Sequence, residues 1–105
     1  MAECQVMFVT MRKDRAGRTP EERRAAAAGD WKMAERRRPT YLAPVVDGEV
    51  RAVYEAGPTY AVGNGRRAFA WLRPVPPDDP VARALLGKPH PRPGRNPVRY
   101  VTLTS

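Results

Sequence analysis

The stretch at residues 40–56 reads TYLAPVVDGEVRAVYEA and carries the strongest local fold signal in this chain. Two β-rich runs flank Asp47-Gly48. Both turn residues tolerate a positive φ angle, which predicts a hairpin closed by a type I′ turn. Alternation along residues 49–56 then predicts two faces. The buried face would carry Val50, Ala52 and Tyr54, and the mostly solvent-facing one Glu49, Arg51, Val53 and Glu55.

Further β-rich runs lie at both ends of the chain and after the hairpin. Residues 4–11 form a short apolar run rich in β-formers, which is typical of a buried strand, and residues 98–104 alternate. A short strand at 59–62 precedes the turn Gly63-Asn64-Gly65. Residues 67–73 are predicted to form another strand, with Phe69 and Trp71 on one face and Ala68, Ala70 and Leu72 on the other.

Two helices are predicted before the hairpin. Thr19 is a good N-cap, Pro20 fits the first helical position and Glu22 completes a capping box, so a helix begins at residue 20 and ends near Gly29. The second prediction is a short helix over residues 30–38, which Asp30 would cap and Pro39 would stop.

The segment 74–97 is rich in proline, with eight prolines in 24 residues, so it cannot form a central strand. Within it, Asp79 as cap, Pro80 at the first position and Gly87 after the end predict a third short helix. The remainder, residues 88–96, is a stiff loop that carries Lys88, His90, Arg92 and Arg95. It would either line a binding groove or serve only as a rigid connector.

These elements predict one domain over residues 1–105, with the Pro-rich segment 74–97 inside it. The fold class is α+β: a small, strongly curved, mostly antiparallel sheet or a partly open β-barrel, with two or three short helices. About five or six strands are expected.

The charge indicates the class of partner. The net charge is +8, and the 19 basic residues are sixteen arginines and three lysines. Arginine presents a planar fork of donors that fits phosphate and guanine edges, and an excess of positive charge attracts polyanions. Nucleic acid, RNA or DNA, is therefore the expected partner, with an acidic protein surface as the alternative.

Three groups of residues are candidate nucleic-acid contacts, and each has a structural alternative. Trp31 with Arg36, Arg37 and Arg38 would stack a base and hold phosphates, although the core is favoured for a tryptophan. The turn before Arg66 and Arg67 would approach a phosphate, or be only a charged hairpin turn. The third group is the basic loop with His90, Arg92 and Arg95.

The sequence offers little for catalysis or metal binding. Cys4 and His90 are single, Ser105 is the only serine, and Glu49 and Glu55 are six residues apart, about 20 Å by strand rise. No enzyme, no metal and no cofactor are expected.

No apolar run approaches membrane length, and the N-terminus has no signal-peptide pattern. A cytoplasmic protein without membrane contact is expected.

From Trp31 onward, the order of features resembles a known group of bacterial domains. The most specific pieces are Val46-Asp47-Gly48-Glu49-Val50-Arg51 with Tyr54, and Asn96-Pro97-Val98-Arg99-Tyr100-Val101. They resemble domains of the PUA-like superfamily, including its EVE and ASCH branches, over residues 31–104. This resemblance implies a small β-barrel that binds RNA or holds a modified base in an aromatic-lined pocket.

The function expected from the residues and the resemblance together is a small basic nucleic-acid-binding module. It would read a modified or flipped base if Trp31, Tyr54 or Trp71 lies exposed in a concave pocket. The alternative is a protein-interaction module, such as an accessory subunit or an inhibitor of a nucleic-acid enzyme.

Overall fold

A computed structural model describes residues 3–11, 19–29, 31–33, 39–87 and 98–104. These residues form a small α+β fold, which confirms the predicted class. The described part of the chain has two helices and nine strands, more than the five or six predicted, because the runs at 49–56 and 67–73 each divide into two strands and residues 31–32 form a further one. In chain order the elements are β1 (Glu3–Met11), α1 (Pro20–Ala28), β2 (Trp31–Lys32), β3 (Tyr41–Val46), β4 (Glu49–Val50), β5 (Tyr54–Ala56), β6 (Thr59–Gly63), β7 (Arg66–Phe69), β8 (Leu72–Pro74), α2 (Pro80–Leu85) and β9 (Val98–Thr104).

The strands form two sheets. The larger has the order β8-β5-β3-β1-β9, with β4 paired to β3, and the smaller has the order β2-β7-β6. Neighbouring strands are antiparallel except for β1 and β3, which pair in parallel from Val6 opposite Tyr41 to Met11 opposite Val46. The larger sheet is therefore mixed, and within the described residues it does not close into a barrel.

The predicted hairpin is present, and its second strand is interrupted. Asp47 and Gly48 have φ angles of 54° and 76°, as a type I′ turn requires. A regular ladder that pairs Val45 with Val50 would pair Leu42 with Val53, but Leu42 pairs with Tyr54. One extra residue thus lies in the second strand, and it reverses the alternation of faces.

This extra residue explains a wrong face assignment. Val53 was predicted to be on the mostly solvent-facing side, yet it is buried, with 4% of its surface exposed. It joins Val50 in one apolar cluster, whereas Tyr54 belongs to the cluster on the other face of the sheet. The interruption lies opposite Pro44, whose carbonyl accepts a hydrogen bond from Arg51 N–H at 3.0 Å.

The core has two clusters because β1 and β3 are buried on both faces. Met7, Val9 and Leu42 belong to the cluster beneath α1 and the smaller sheet, whereas Val6 and Phe8 belong to the cluster that includes Leu85 of α2. A strand with both faces covered has a continuous apolar sequence instead of an alternating one. This accounts for the four consecutive apolar residues at 6–9.

Helix α1 begins and ends as the sequence predicts. The Thr19 hydroxyl accepts from Glu22 N–H at 3.1 Å, and the Glu22 carboxylate accepts from Thr19 N–H at 3.3 Å, which completes the capping box. Such caps stabilise a helix by about 1 kcal/mol. Ala27 is fully buried, and its carbonyl accepts a 2.8 Å hydrogen bond from the Trp31 indole N–H.

Two predicted elements differ in the structure. Trp31 and Lys32 form strand β2, antiparallel to β7, so the prediction of a helix over 30–38 is wrong at these two residues. The single strand predicted at 67–73 is two strands in different sheets, since β7 pairs with β6 and β8 pairs with β5. The chain changes sheet at residues 70 and 71, which leaves Phe69 buried and Trp71 exposed.

The third predicted helix is present as α2. The Asp79 carboxylate accepts from Val81 N–H at 2.9 Å, and Leu85 packs in the core. The predicted basic loop at 88–96 lies outside the described residues.

Replacement of the two tryptophans should have very different effects on stability. Trp31→Ala should lower the free energy of unfolding by about 3–5 kcal/mol, because it leaves a cavity and an unpaired carbonyl. Trp71→Ala should lower it by less than about 1 kcal/mol, because that side chain is largely at the surface. Urea denaturation followed by circular dichroism measures both values. Equal losses would contradict the assignment of Trp31 to the core.

Candidate functional site

A groove runs beside helix α1, where the helix faces the edge of the larger sheet. It contains a first cavity of about 390 Å³, bounded by the first turns of α1, the interrupted segment 51–54, the end of β8, and α2. Arg23, Arg24 and Arg51 line it, together with one carboxylate, Glu21. Among the described residues, three guanidinium groups face Glu21 in the lining and Glu49, which lies 3.9 Å from Arg51, so a net positive charge is left at this cavity.

Helix α1 sets the positions of two of these arginines. Ala27 is buried, and Ala26 and Ala28 pack against the same cluster, so a slim helix face lies on the sheet. Arg23 and Arg24 occupy the preceding turn, where Arg23 is half-buried and Arg24 is exposed. Because α1 uses its N-terminus in the capping box, anion binding at this end of the groove falls to the guanidinium groups.

Arg23 has a buried donor without a partner among the described residues. Its Nε atom is shielded from solvent and makes no hydrogen bond. A buried donor that lacks a partner costs roughly 1–3 kcal/mol, and more when it belongs to a charged group. Arg23 also lines the first cavity, where the exposed part of its guanidinium group can meet an anion.

Tyr54 also lines the first cavity. The side chain is buried, and desolvation raises the pKa of its hydroxyl above the ordinary value of 10.0. The positive charges of Arg23 and Arg24 act in the opposite direction and lower that pKa, but by less than burial raises it. The phenol is therefore protonated at neutral pH and able to donate a hydrogen bond.

A second cavity, of about 400 Å³, adjoins the first. Glu21 and Arg24 line both cavities, so the first turns of α1 form the ridge between them. The far wall of the second cavity is aromatic, with the buried Phe69 and the exposed Trp71. The groove thus has a cationic part and an aromatic part, and Arg24 borders both.

The backbone of Gly57 packs against one face of the Trp71 ring. A Cβ atom placed on Gly57 would lie 2.5 Å from both Cδ2 and Cε2, the two atoms shared by the indole rings. Since those atoms are inside the outline of the ring system, Gly57 lies against a face of the indole. Arg73 extends over the ring, with its Cζ 5.3 Å from the ring centroid, and its Nη1 lies 3.8 Å from Glu55 Oε1.

The structure brings two of the predicted residues to this groove. Tyr54 lines the first cavity and Trp71 the second. Trp31 is buried and bonded to α1, so it reaches neither cavity. Arg66 and Arg67 also lie away from the groove, in the β6–β7 hairpin, where Arg67 donates to the Thr59 hydroxyl at 2.9 Å and to its carbonyl at 3.1 Å.

The other predicted contact residues lie outside the described part of the chain. They are Arg36, Arg37, Arg38, His90, Arg92 and Arg95. Their contribution to binding stays a prediction.

The sequence analysis did not single out the three arginines of the groove, Arg23, Arg24 and Arg51, nor Arg73, which lies over the Trp71 ring. A signal for the first two was available, because they follow a capping box and precede four alanines that pack the helix closely on its support. No local signal placed Arg51 and Arg73 beside them, since strand pairing decides that.

The acidic residues of the hairpin do not form a metal site. Glu49 lies 3.9 Å from Arg51 and Glu55 lies 3.8 Å from Arg73, so each faces a separate guanidinium. Among the described residues, no group of three or more His, Cys, Asp or Glu side chains could hold a metal ion. In the same part of the chain, neither helix has the length and apolar character needed to cross a membrane.

The chain matches no protein-family model, no curated protein and no solved structure. The function is therefore inferred from the shape, the charge and the aromatic lining of the two cavities.

The raised pKa of Tyr54 should make stability depend on alkaline pH. A proton held more tightly in the folded state contributes stability that is complete below the unfolded pKa, near 10, and is lost as pH rises through the folded pKa. The free energy of unfolding should therefore fall above pH 10.0 in the wild type. Tyr54→Phe should reduce that fall, as measured by urea denaturation across this range. An unchanged pH dependence in the variant would contradict the burial of the phenol.

Proposed function

We propose that this chain is a small nucleic-acid-binding module that holds the phosphate backbone in the groove beside α1. The observation that carries the proposal is the junction of the two cavities at Arg24, with three arginines on one side and an exposed tryptophan on the other. Proteins that bind nucleic acid combine these two features, because cations hold phosphates and aromatic rings stack on bases.

The charge of the groove supports a phosphate as its ligand. Guanidinium groups form bidentate, charge-assisted hydrogen bonds with phosphate oxygens. Arg23, Arg24 and Arg51 line the first cavity, and the protonated Tyr54 lies close enough to Arg23 and Arg24 for their charges to lower its pKa. A net charge of +8 on the whole chain would also draw a polyanion to the groove from a distance.

A finer proposal concerns what the module reads. The resemblance to PUA-like domains implies recognition of a modified or flipped base. Such a base needs a concave pocket with an aromatic wall, and the second cavity, with Trp71 and Phe69, supports this proposal. We propose binding without a chemical step.

Charge reversal at Arg24 tests the groove. At low salt, Arg24→Glu should weaken binding of RNA or DNA by about tenfold or more, and it should lower the slope of log K against log salt by at least about 1. Fluorescence anisotropy with a labelled oligonucleotide over a salt series measures both quantities. Arg24 is exposed, so the variant should fold.

Arg99→Glu is the matched control. Arg99 is exposed on β9 and lines neither cavity, and its reversal changes the net charge by the same amount. It should weaken binding only slightly. Equal losses in both variants would show that overall charge alone drives binding and would refute the groove. Absence of binding at low salt to any RNA or DNA, together with a stoichiometric protein partner, would favour the protein-interaction alternative.

A further inference from the structure

The two cavities have the chemistry of two different parts of one nucleotide. Three arginines and Tyr54 suit a phosphate in the first cavity, whose other lining residues are mostly apolar, and Phe69 and Trp71 suit a base in the second. Arg24 borders both, so a chain that places a phosphate in the first cavity has its adjoining base within reach of the second.

The Trp71 indole is built as a flat support for such a base. It is 43% exposed, which is unusual for a tryptophan. Gly57 packs directly against one face of the ring, and any larger residue at that position would collide with it. Arg73 lies over the ring, and because its side chain is 69% exposed, an incoming base can displace it from the ring and stack against its guanidinium group.

A base in duplex nucleic acid cannot use this support. Both of its faces are covered by neighbouring base pairs, and a side chain reaches a face only after the base is unstacked and unpaired. A single strand offers its faces without that cost, and stacking on a protein ring tolerates any base because every base has a π-face. We propose that the groove selects single-stranded over duplex nucleic acid by stacking a base on Trp71.

This inference rests on the proposed function and goes beyond it, because phosphate contacts alone do not distinguish single strands from duplexes. The experiment uses one labelled oligonucleotide of mixed sequence, as a single strand and annealed to its complement, in RNA and DNA forms. Anisotropy at low salt should give the single strand at least about fivefold tighter binding in the wild type. Trp71→Ala should weaken single-strand binding far more than duplex binding and so remove that preference.

Tyr60→Ala is the matched control, since Tyr60 is an aromatic residue with 52% exposure that lines neither cavity. It should leave the preference for single strands intact. A second measurement uses the intrinsic fluorescence of tryptophan. The chain has two tryptophans, and the buried Trp31 should not respond to a ligand. Single-strand binding should therefore quench the fluorescence of the wild type and not that of Trp71→Phe.

The outcomes separate the two proposals. Salt-dependent binding with equal affinity for single strands and duplexes, unaffected by Trp71→Ala, would overturn the single-strand inference and leave the phosphate groove standing. Absence of binding to both forms would overturn the groove as well. Quenching that persists in Trp71→Phe would place the bound base elsewhere and refute the role of Trp71.

Discussion

The parallel pairing of β1 with β3 is the constraint on which the rest of this fold depends. Two parallel neighbours need a crossover connection, and a strand pair at the centre of a sheet must be covered on both faces. In this chain of 105 residues, helix α1 and the smaller sheet cover one face of the strand pair, and the short helix α2 covers the other. The groove lies where α1 meets the edge of this arrangement.

Helix α1 belongs both to the core and to the proposed site. Its alanines pack against the core, and Arg23 and Arg24 in the preceding turn lie close enough to Tyr54 for their charges to lower its pKa. The Trp31 indole also bonds to the Ala27 carbonyl at the end of the helix. Helix α1 therefore contributes to the core through its alanines and to the positive charge of the groove through Arg23 and Arg24.

Two irregularities in the strands create the aromatic and cationic lining. The extra residue before Tyr54 reverses the alternation of side-chain directions. Val53 therefore packs in the cluster with Leu85, and Tyr54 packs in the cluster beneath α1. The change of sheet after Phe69 separates two aromatic residues that strict alternation would keep on one face. As a result Phe69 is buried and Trp71 stands at the surface beside Arg73.

The sequence by itself determined the local elements: the Asp47-Gly48 turn, the capped start of α1, helix α2 and the strands at both ends. These depend on φ preferences and on hydrogen bonds between residues a few positions apart, which neighbouring residue types encode. Only the tertiary structure decided the parallel pairing, the extra residue opposite Pro44 and the meeting of Arg24 with Trp71. The parallel pairing and the placement of Arg24 near Trp71 join segments tens of residues apart, and all three features are set by which apolar faces can be covered together, a property that no local pattern contains.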